Sequence, residues 1–101
     1  MVRYTIKIIK QQPVYTISVA AEIIGCHPRT LRIYEEEGLV HPSRTRTNIR
    51  RYSQENIEQI QNICRLMEAM SLNLAGVKAL QLLAKKVHLD MDDIFEKLLG
   101  H

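Results

Sequence analysis

Residues 27–38 read HPRTLRIYEEEG and carry the signals of a short, sharply bounded helix. His27 can cap the first turn, and Pro28 suits the first helical position because its φ angle is already helical. Gly38 follows the last helical residues and can adopt the left-handed backbone that ends a helix. The stretch therefore predicts a helix of about two and a half turns.

The side chains of this helix divide between two faces. Leu31 and Tyr34 lie three residues apart and predict a buried face, whereas Arg29 and Arg32 follow another stripe. Three consecutive glutamates, residues 35–37, stand at the C-terminal end, which the helix dipole disfavours. We interpret them as a solvent-facing run that points away from any phosphate backbone.

A second short helix precedes this one. Ser18 is the predicted N-cap, and Gly25 is the predicted end. The apolar positions between them, at helical spacing, are Val19, Ala20, Ile23 and Ile24. Two short helices joined by a few residues around a glycine predict a helix-turn-helix.

The segment after Gly38 predicts a β-hairpin, or wing. Pro42 excludes a helix, residues 43–49 mix turn formers with strand formers, and residues 50–52 close the segment. Residues 27–52 contain six arginines, three glutamates and no lysine. Arginine suits bidentate contacts to phosphate and guanine, so the helix and the wing together indicate a surface for an acidic partner.

Three further helices are predicted, with Ser53, Asn73 and Asp90 as N-caps. The second has an apolar face composed of Leu74, Val77, Leu80, Leu83, Ala84 and Val87. The last has an apolar stripe, which is a candidate dimer or partner surface, composed of Met91, Ile94, Phe95, Leu98 and Leu99. The alternative is that this stripe packs back onto the same chain.

Composition limits the remaining choices. A chain of 101 residues, 46% hydrophobic and 25% charged, is typical of one soluble domain. It has no apolar run of the roughly 18–20 residues that a membrane helix needs. Two cysteines, Cys26 and Cys64, make neither a disulfide framework nor a metal cluster, and we expect both to be reduced, as in a cytoplasm, and buried as small hydrophobic side chains. Neither enzymatic motifs nor a cofactor or metal site is evident, so we expect no enzyme.

Several motifs, in this order, resemble a MerR-type DNA-binding domain. They are TLRIYE at residues 30–35, GLV at residues 38–40 and RRYS at residues 50–53. Residues 27–35 and 72–78 look most like the heat-shock repressor (HspR) branch. The resemblance implies a mainly α winged helix-turn-helix over residues 15–87, after an N-terminal extension at 1–14 and before a short C-terminal helical segment at 88–101. Residues 3–9 alternate polar and apolar residues and predict a strand or a flexible arm.

The resemblance also implies a function. Members of the heat-shock branch repress chaperone operons by binding inverted repeats of double-stranded DNA as homodimers, with a DnaK-type chaperone as co-repressor. Metal-sensing members carry cysteines near a long dimerisation helix, and this chain has none there. Two other functions are kept open: a chaperone-modulator-type protein-binding module of MerR-like fold, and an excisionase-like architectural DNA binder.

The charge pattern and the resemblance together predict the DNA-binding residues. Arg29 and Thr30 are assigned to base edges or adjacent phosphates, and Arg32 to a phosphate or to a surface pair with Glu35 or Glu36. The hydroxyl of Tyr34, by resemblance, reaches a phosphate. The full predicted set is Ser18, His27, Arg29, Thr30, Arg32, Tyr34, Arg44, Arg46, Asn48, Arg50, Arg51 and Tyr52. For Tyr52, an anchoring role between wing and core is the favoured interpretation.

Overall fold

The computed structural model describes residues 9–100, so the predicted strand or arm at residues 3–9 lies outside the described part except for Ile9, which is helical. The described residues form two compact units, one that ends at Ile60 and one that begins at Gln61. In chain order the elements are β1 (Pro13–Tyr15), α1 (Ile17–Ile24), α2 (Pro28–Glu36), β2 (Ser43–Arg44), β3 (Arg50–Ser53), α3 (Gln54–Ala69), α4 (Leu74–Lys86) and α5 (Met91–Leu99). This order is the mainly helical one, with a small wing, that the sequence predicts.

The three strands form one small antiparallel sheet in the first unit, in the order β1-β3-β2. In the wing, Ser43 pairs with Arg51 and Arg44 pairs with Arg50. On the other side of β3, Pro13 pairs with Ser53, and the register shifts before Tyr15. The sequence prediction treated residues 1–14 as an extension outside the domain, and this was wrong for Pro13 and Val14. Proline is tolerated there because β1 is an edge strand.

Helix α1 begins two residues earlier than predicted. Its N-cap is Thr16, whose Oγ1 accepts a hydrogen bond from the amide of Val19 at 3.2 Å. Ser18 was predicted for this position, but it lies inside the first turn and is exposed. Both residue types can cap a helix, so composition could not separate them. The predicted end is confirmed, because Gly25 has a φ of 86°.

Both predicted ends of α2 are confirmed. His27 Nδ1 accepts a hydrogen bond from the amide of Arg29 at 3.0 Å, and Pro28 occupies the first helical position. At the other end, Gly38 has a φ of 74° and its amide donates to the carbonyl of Glu35. The amide of the next residue, Leu39, donates to the carbonyl of Tyr34, which completes a Schellman motif.

The caps of the last three helices are also those predicted. Ser53 Oγ accepts from the amide of Asn56 at 3.0 Å, and Asn56 Oδ1 accepts from the amide of Ser53 in return. Asn73 caps α4. Asp90 caps α5 in a reciprocal capping box with Asp93. Local side-chain hydrogen bonds therefore set all three starts.

The core of the first unit lies beneath α1, α2 and the sheet. The buried apolar side chains of this unit are Ala20, Ala21, Leu31, Tyr34, Leu39, Val40, Tyr52, Ile57 and Ile60. In the second unit the buried apolar side chains are Ile63, Leu66, Val77, Ala84 and Phe95. The predicted buried face of α2 is confirmed, since Leu31 is 0% and Tyr34 is 7% exposed.

Tyr52 belongs to this core and does not reach solvent. Its side chain is 0% exposed, and its hydroxyl has no hydrogen-bond partner among the described residues. Burial raises the pKa of Tyr52. The sequence prediction included Tyr52 among the DNA-binding residues, and the structure corrects this, because a fully enclosed hydroxyl cannot contact a phosphate. Its position in β3 and in the core suits the favoured role as the anchor of the wing.

We predict that Tyr52→Phe raises the free energy of unfolding by about 1 kcal/mol, because a buried hydroxyl without a partner destabilises the folded state. Urea unfolding monitored by circular dichroism measures this change. A decrease of about 1 kcal/mol or more would instead mean that the hydroxyl has a partner, such as a buried water.

Candidate nucleic-acid interface

The N-terminal half of α2 presents polar side chains to solvent. Arg29 and Arg32 are exposed and Thr30 is half-buried, while Leu31 between them is enclosed. Within residues 9–100, neither guanidinium group makes a hydrogen bond or ion pair with the protein. The predicted surface pair between Arg32 and Glu35 or Glu36 is therefore not formed, and both arginines are available to a partner.

His27 and Tyr34 flank this surface in different ways. His27 is exposed, but its Nδ1 is engaged in capping α2, so only the rest of the ring can meet a ligand. Tyr34 is almost completely buried. The ring of Tyr34 thus contributes to the core, as expected of a residue on the Leu31 face.

The tip of the wing is a tight turn over residues 45–48. The amide of Asn48 donates to the carbonyl of Thr45 at 2.9 Å, and Asn48 has a left-handed φ of 64°. Asparagine adopts this conformation more readily than most residues, which explains its place in a turn without glycine. Arg46 lies at this tip, is exposed, and has no protein partner among the described residues.

The other wing arginines are engaged. Arg44 Nη2 donates to both carboxylate oxygens of Glu35, at 3.0 and 3.2 Å, and Arg44 Nη1 donates to the carbonyl of Asn48 at 3.2 Å. Arg50 Nε donates to Oε1 of the same Glu35. Arg51 is half-buried, and its Nη1 donates to the carbonyl of Arg50 at 3.1 Å.

The role of Glu35 differs from the one predicted. We expected all three glutamates to be a solvated run, but the Glu35 side chain is only 20% exposed and lies between two guanidinium groups. Burial alone would raise the pKa of Glu35, but the hydrogen bonds and charges of Arg50 and Arg44 outweigh it and lower the pKa. Spacing could have indicated this, because Glu35 follows the buried Leu31 by four residues and shares its face, whereas Glu36 lies on the far side.

The second unit has an apolar surface that the sequence assigned differently. Phe95 was predicted on a dimer surface, but it is only 3% exposed and packs inside its own chain. Leu83 and Val87 were placed on the buried face of α4, but they are 59% and 55% exposed. Leu98 is exposed, while Met91, Ile94 and Leu99 are half-buried.

Two of these side chains, Leu83 and Leu98, line an open apolar groove of ≈ 410 Å³, which we call the α4–α5 groove. Its walls include Met70, Leu80, Leu83 and Leu98. Leu99 contributes to a separate hollow beside Arg65 and Glu68. Of the predicted stripe, only Leu98 lines the α4–α5 groove.

Two classes of site are not seen in the described residues. Residues 9–100 contain no group of three or more His, Cys, Asp or Glu side chains that could hold a metal ion. No helix in the same range has the length and hydropathy that a membrane crossing requires. Cys26 and Cys64 are not joined in a disulfide, and both are half-buried and not fully buried as we expected.

Comparisons with known proteins identify the fold family. The model of the MerR HTH family regulatory proteins matches residues 15–82. The heat shock protein HspR of Streptomyces coelicolor is 50% identical over 66 residues, which is 65% of this chain and 44% of that protein. The transcriptional regulator GlnR of Bacillus anthracis is 31% identical over 74 residues, or 73% of this chain and 57% of that protein. The chain spans about half the length of these curated relatives.

A solved structure is also similar. HiNmlR, described as a MerR family regulator lacking the sensor domain and bound to promoter DNA, superimposes with a TM-score of 0.59 at 26% identity. The match covers 85% of this chain and 65% of that chain. The likeness to HspR agrees with the branch that the sequence motifs indicate. From the family match over residues 15–82, the chain belongs to the MerR family of helix-turn-helix regulatory proteins.

Proposed function

We propose that this chain binds double-stranded DNA sequence-specifically as a homodimer and regulates transcription, as the repressor of a stress or chaperone operon in the cytoplasm. The observation that carries the proposal is the set of unengaged arginines, Arg29 and Arg32 on α2 and Arg46 on the wing tip. A helix and a neighbouring wing that both present free guanidinium groups suit the phosphates and guanine edges of a duplex.

The comparisons support the same proposal. HiNmlR is a MerR family regulator bound to promoter DNA, and HspR is by name a heat shock protein. Half of the positions in the matched segment of this chain are identical to HspR. We therefore favour a stress-related operon, since the transcriptional regulator ZntR homolog of Haemophilus influenzae is less similar, at 34% identity over 65 residues.

The proposed contacts divide into two roles. Arg29 and Thr30 at the start of α2 read base edges in the major groove, as recognition helices do with their first residues. Arg46 at the wing tip binds the phosphate backbone, which positions the protein without reading much sequence. Arg32 contributes a further phosphate contact from the exposed face of α2.

Arg29→Ala is expected to weaken binding to a selected duplex by about 1–3 kcal/mol and to relax its base preference. Arg46→Ala is expected to weaken binding to every duplex and to reduce the slope of log affinity against log salt by about one. Fluorescence anisotropy over a range of salt concentrations measures both, with a duplex selected from a random library by the wild-type chain and an unselected duplex of equal length. Lys86→Ala removes the same charge from the end of α4 and is the control.

Equal losses on selected and unselected duplexes for both arginine variants would contradict this division of roles. The proposed function itself fails if the wild-type chain retains no duplex at low ionic strength. In that case, binding to a chaperone or co-chaperone would favour the protein-binding module. A strong bend in the bound DNA without an effect on transcription would favour the architectural binder.

The homodimer is proposed to form through the α4–α5 groove. One small DNA-binding module buries roughly 600–1,000 Å² on DNA, which is modest for tight specific binding, so two copies on an inverted repeat are needed. Leu83 and Leu98 are exposed leucines in this groove, and a second copy would remove them from water.

Leu83→Glu is expected to convert the dimer to a monomer and to lower the affinity for an inverted repeat at least tenfold, because a charge would be buried in the interface. Leu83 is 59% exposed in the chain, so folding should not change. Sedimentation equilibrium and anisotropy measure the two effects. Leu82→Glu is the matched control, since Leu82 is 56% exposed and is not among the groove residues. An unchanged dimer in Leu83→Glu would place the interface elsewhere.

A DnaK-type chaperone is the proposed co-repressor. The support for it is the likeness to a heat shock protein, together with the motifs at residues 27–35 and 72–78. Adding purified DnaK to the anisotropy titration tests it: tighter retention of the selected duplex supports the role, and an unchanged titration contradicts it.

A further inference from the structure

The strands of the wing bring two positive charges directly opposite each other. Arg44 on β2 pairs with Arg50 on β3 in the antiparallel ladder. Like charges at such positions destabilise a strand pair. The structure resolves this repulsion with a single carboxylate from another element, because Glu35 on α2 accepts hydrogen bonds from both guanidinium groups.

Strand β3 is anchored by β1 and by the buried Tyr52, so it is β2 and the tip of the wing that need a further contact to have a defined position. Strand β2 is only two residues long, and its ladder with β3 contains two residue pairs. So short a two-stranded ladder is marginal by itself. The Glu35 carboxylate joins both strands of the wing to the C-terminal end of α2, the helix proposed to enter the major groove.

The contact also engages two guanidinium groups that could otherwise bind DNA phosphates. Arg44 and Arg50 are 36% and 23% exposed and point to Glu35, whereas Arg46 on the same wing is free. The cluster of one carboxylate and two guanidinium groups has a net charge of +1. It can therefore lie near a polyanion without strong repulsion, while a lone carboxylate there would weaken binding.

We propose that Glu35 is a positioning residue for DNA recognition, which holds the wing at a fixed place relative to α2 through Arg44 and Arg50. This inference rests on the proposed function, since positioning matters only if helix and wing bind one duplex together. Arg44 and Arg50 then act through Glu35 and are not primary phosphate ligands. Discrimination between DNA sequences depends on a carboxylate that itself makes no favourable contact with DNA.

The competing explanation is that Glu35 makes an ordinary surface ion pair, which contributes only a little stability. Glu36 provides a matched comparison. It is the next residue of α2, is exposed, carries the same charge, and has no ion pair or hydrogen-bond partner among the described residues. Replacing either glutamate by glutamine changes the net charge by one, but only Glu35→Gln releases the wing.

The test compares Glu35→Gln and Glu36→Gln on the selected and the unselected duplex, over a range of salt concentrations. In Glu35→Gln we expect the ratio of the two affinities to fall about fivefold or more, since neighbouring groups that act together are coupled on this scale. Its salt slope on the unselected duplex should become steeper by about one to two, because the released arginines can bind phosphates. In Glu36→Gln both affinities should rise together and the ratio should stay the same.

A second set of variants separates positioning from stability. Arg50→Gln should lower the ratio of the affinities for the selected and the unselected duplex, as Glu35→Gln does. Unlike Arg46→Ala, it should not reduce the slope of log affinity against log salt. In Glu35→Gln combined with Arg50→Gln, the second change should lower the ratio little further. Thermal unfolding of each variant identifies any that fail to fold, and Arg44→Gln then replaces it in the same comparison.

The outcomes are distinct. If the wild-type chain prefers its selected duplex and Glu35→Gln keeps the full preference, the positioning role is wrong and the proposed function stands. If Glu35→Gln and Glu36→Gln change the two affinities equally, Glu35 acts only as a surface charge and the positioning role is likewise wrong. If the wild-type chain binds no duplex, both the function and this inference fall.

Discussion

The interface depends on the burial of one face of α2. A helix of nine residues is too short to be stable alone in water, so it needs tertiary packing. Leu31 and Tyr34 provide that packing, and a helix anchored along one stripe must present the opposite stripe to solvent. Arg29 and Arg32 lie on the solvent side for this reason. The same packing that stabilises the first unit thereby orients its candidate recognition surface.

Electrostatics then divides the arginines into two groups. Three arginines make no ion pair among the described residues and can bind a partner: Arg29, Arg32 and Arg46. Arg44 and Arg50 instead form ion pairs with Glu35. A surface made only of free cations would attract any polyanion but would also repel itself. One carboxylate between two guanidinium groups reduces that repulsion and joins two elements. Charge balance and geometry are therefore set by the same contact.

The second unit raises a different physical question, because it leaves apolar side chains in water. Leu83 of α4 is 59% exposed and Leu98 of α5 is 40% exposed, and both line the α4–α5 groove. Large exposed apolar patches on a folded chain commonly mark an interaction surface. The α4–α5 groove offers such a surface within one unit, which is why we assign the dimer contact to it and not to Phe95.

Local signals in the sequence were sufficient for most of the element boundaries. The caps at His27, Ser53, Asn73 and Asp90, and the left-handed end at Gly25, depend on hydrogen bonds and backbone preferences within a few residues. The amphipathic face of α2 and the arginines of the surface were predictable for the same reason. Short-range interactions of this kind are encoded in neighbouring positions.

Contacts between distant residues were decided only by the tertiary structure. Helical spacing places Glu35 on the face of Leu31, but its contacts join residues nine and fifteen positions apart, and no local period identifies Arg44 and Arg50 as its partners. The enclosure of Tyr52 and Phe95, and the exposure of Leu83, likewise depend on which elements pack against each other. Residue type and spacing determine which face of a helix is apolar. Only the packed fold determines how much of that face is covered, because burial is a property of the neighbours.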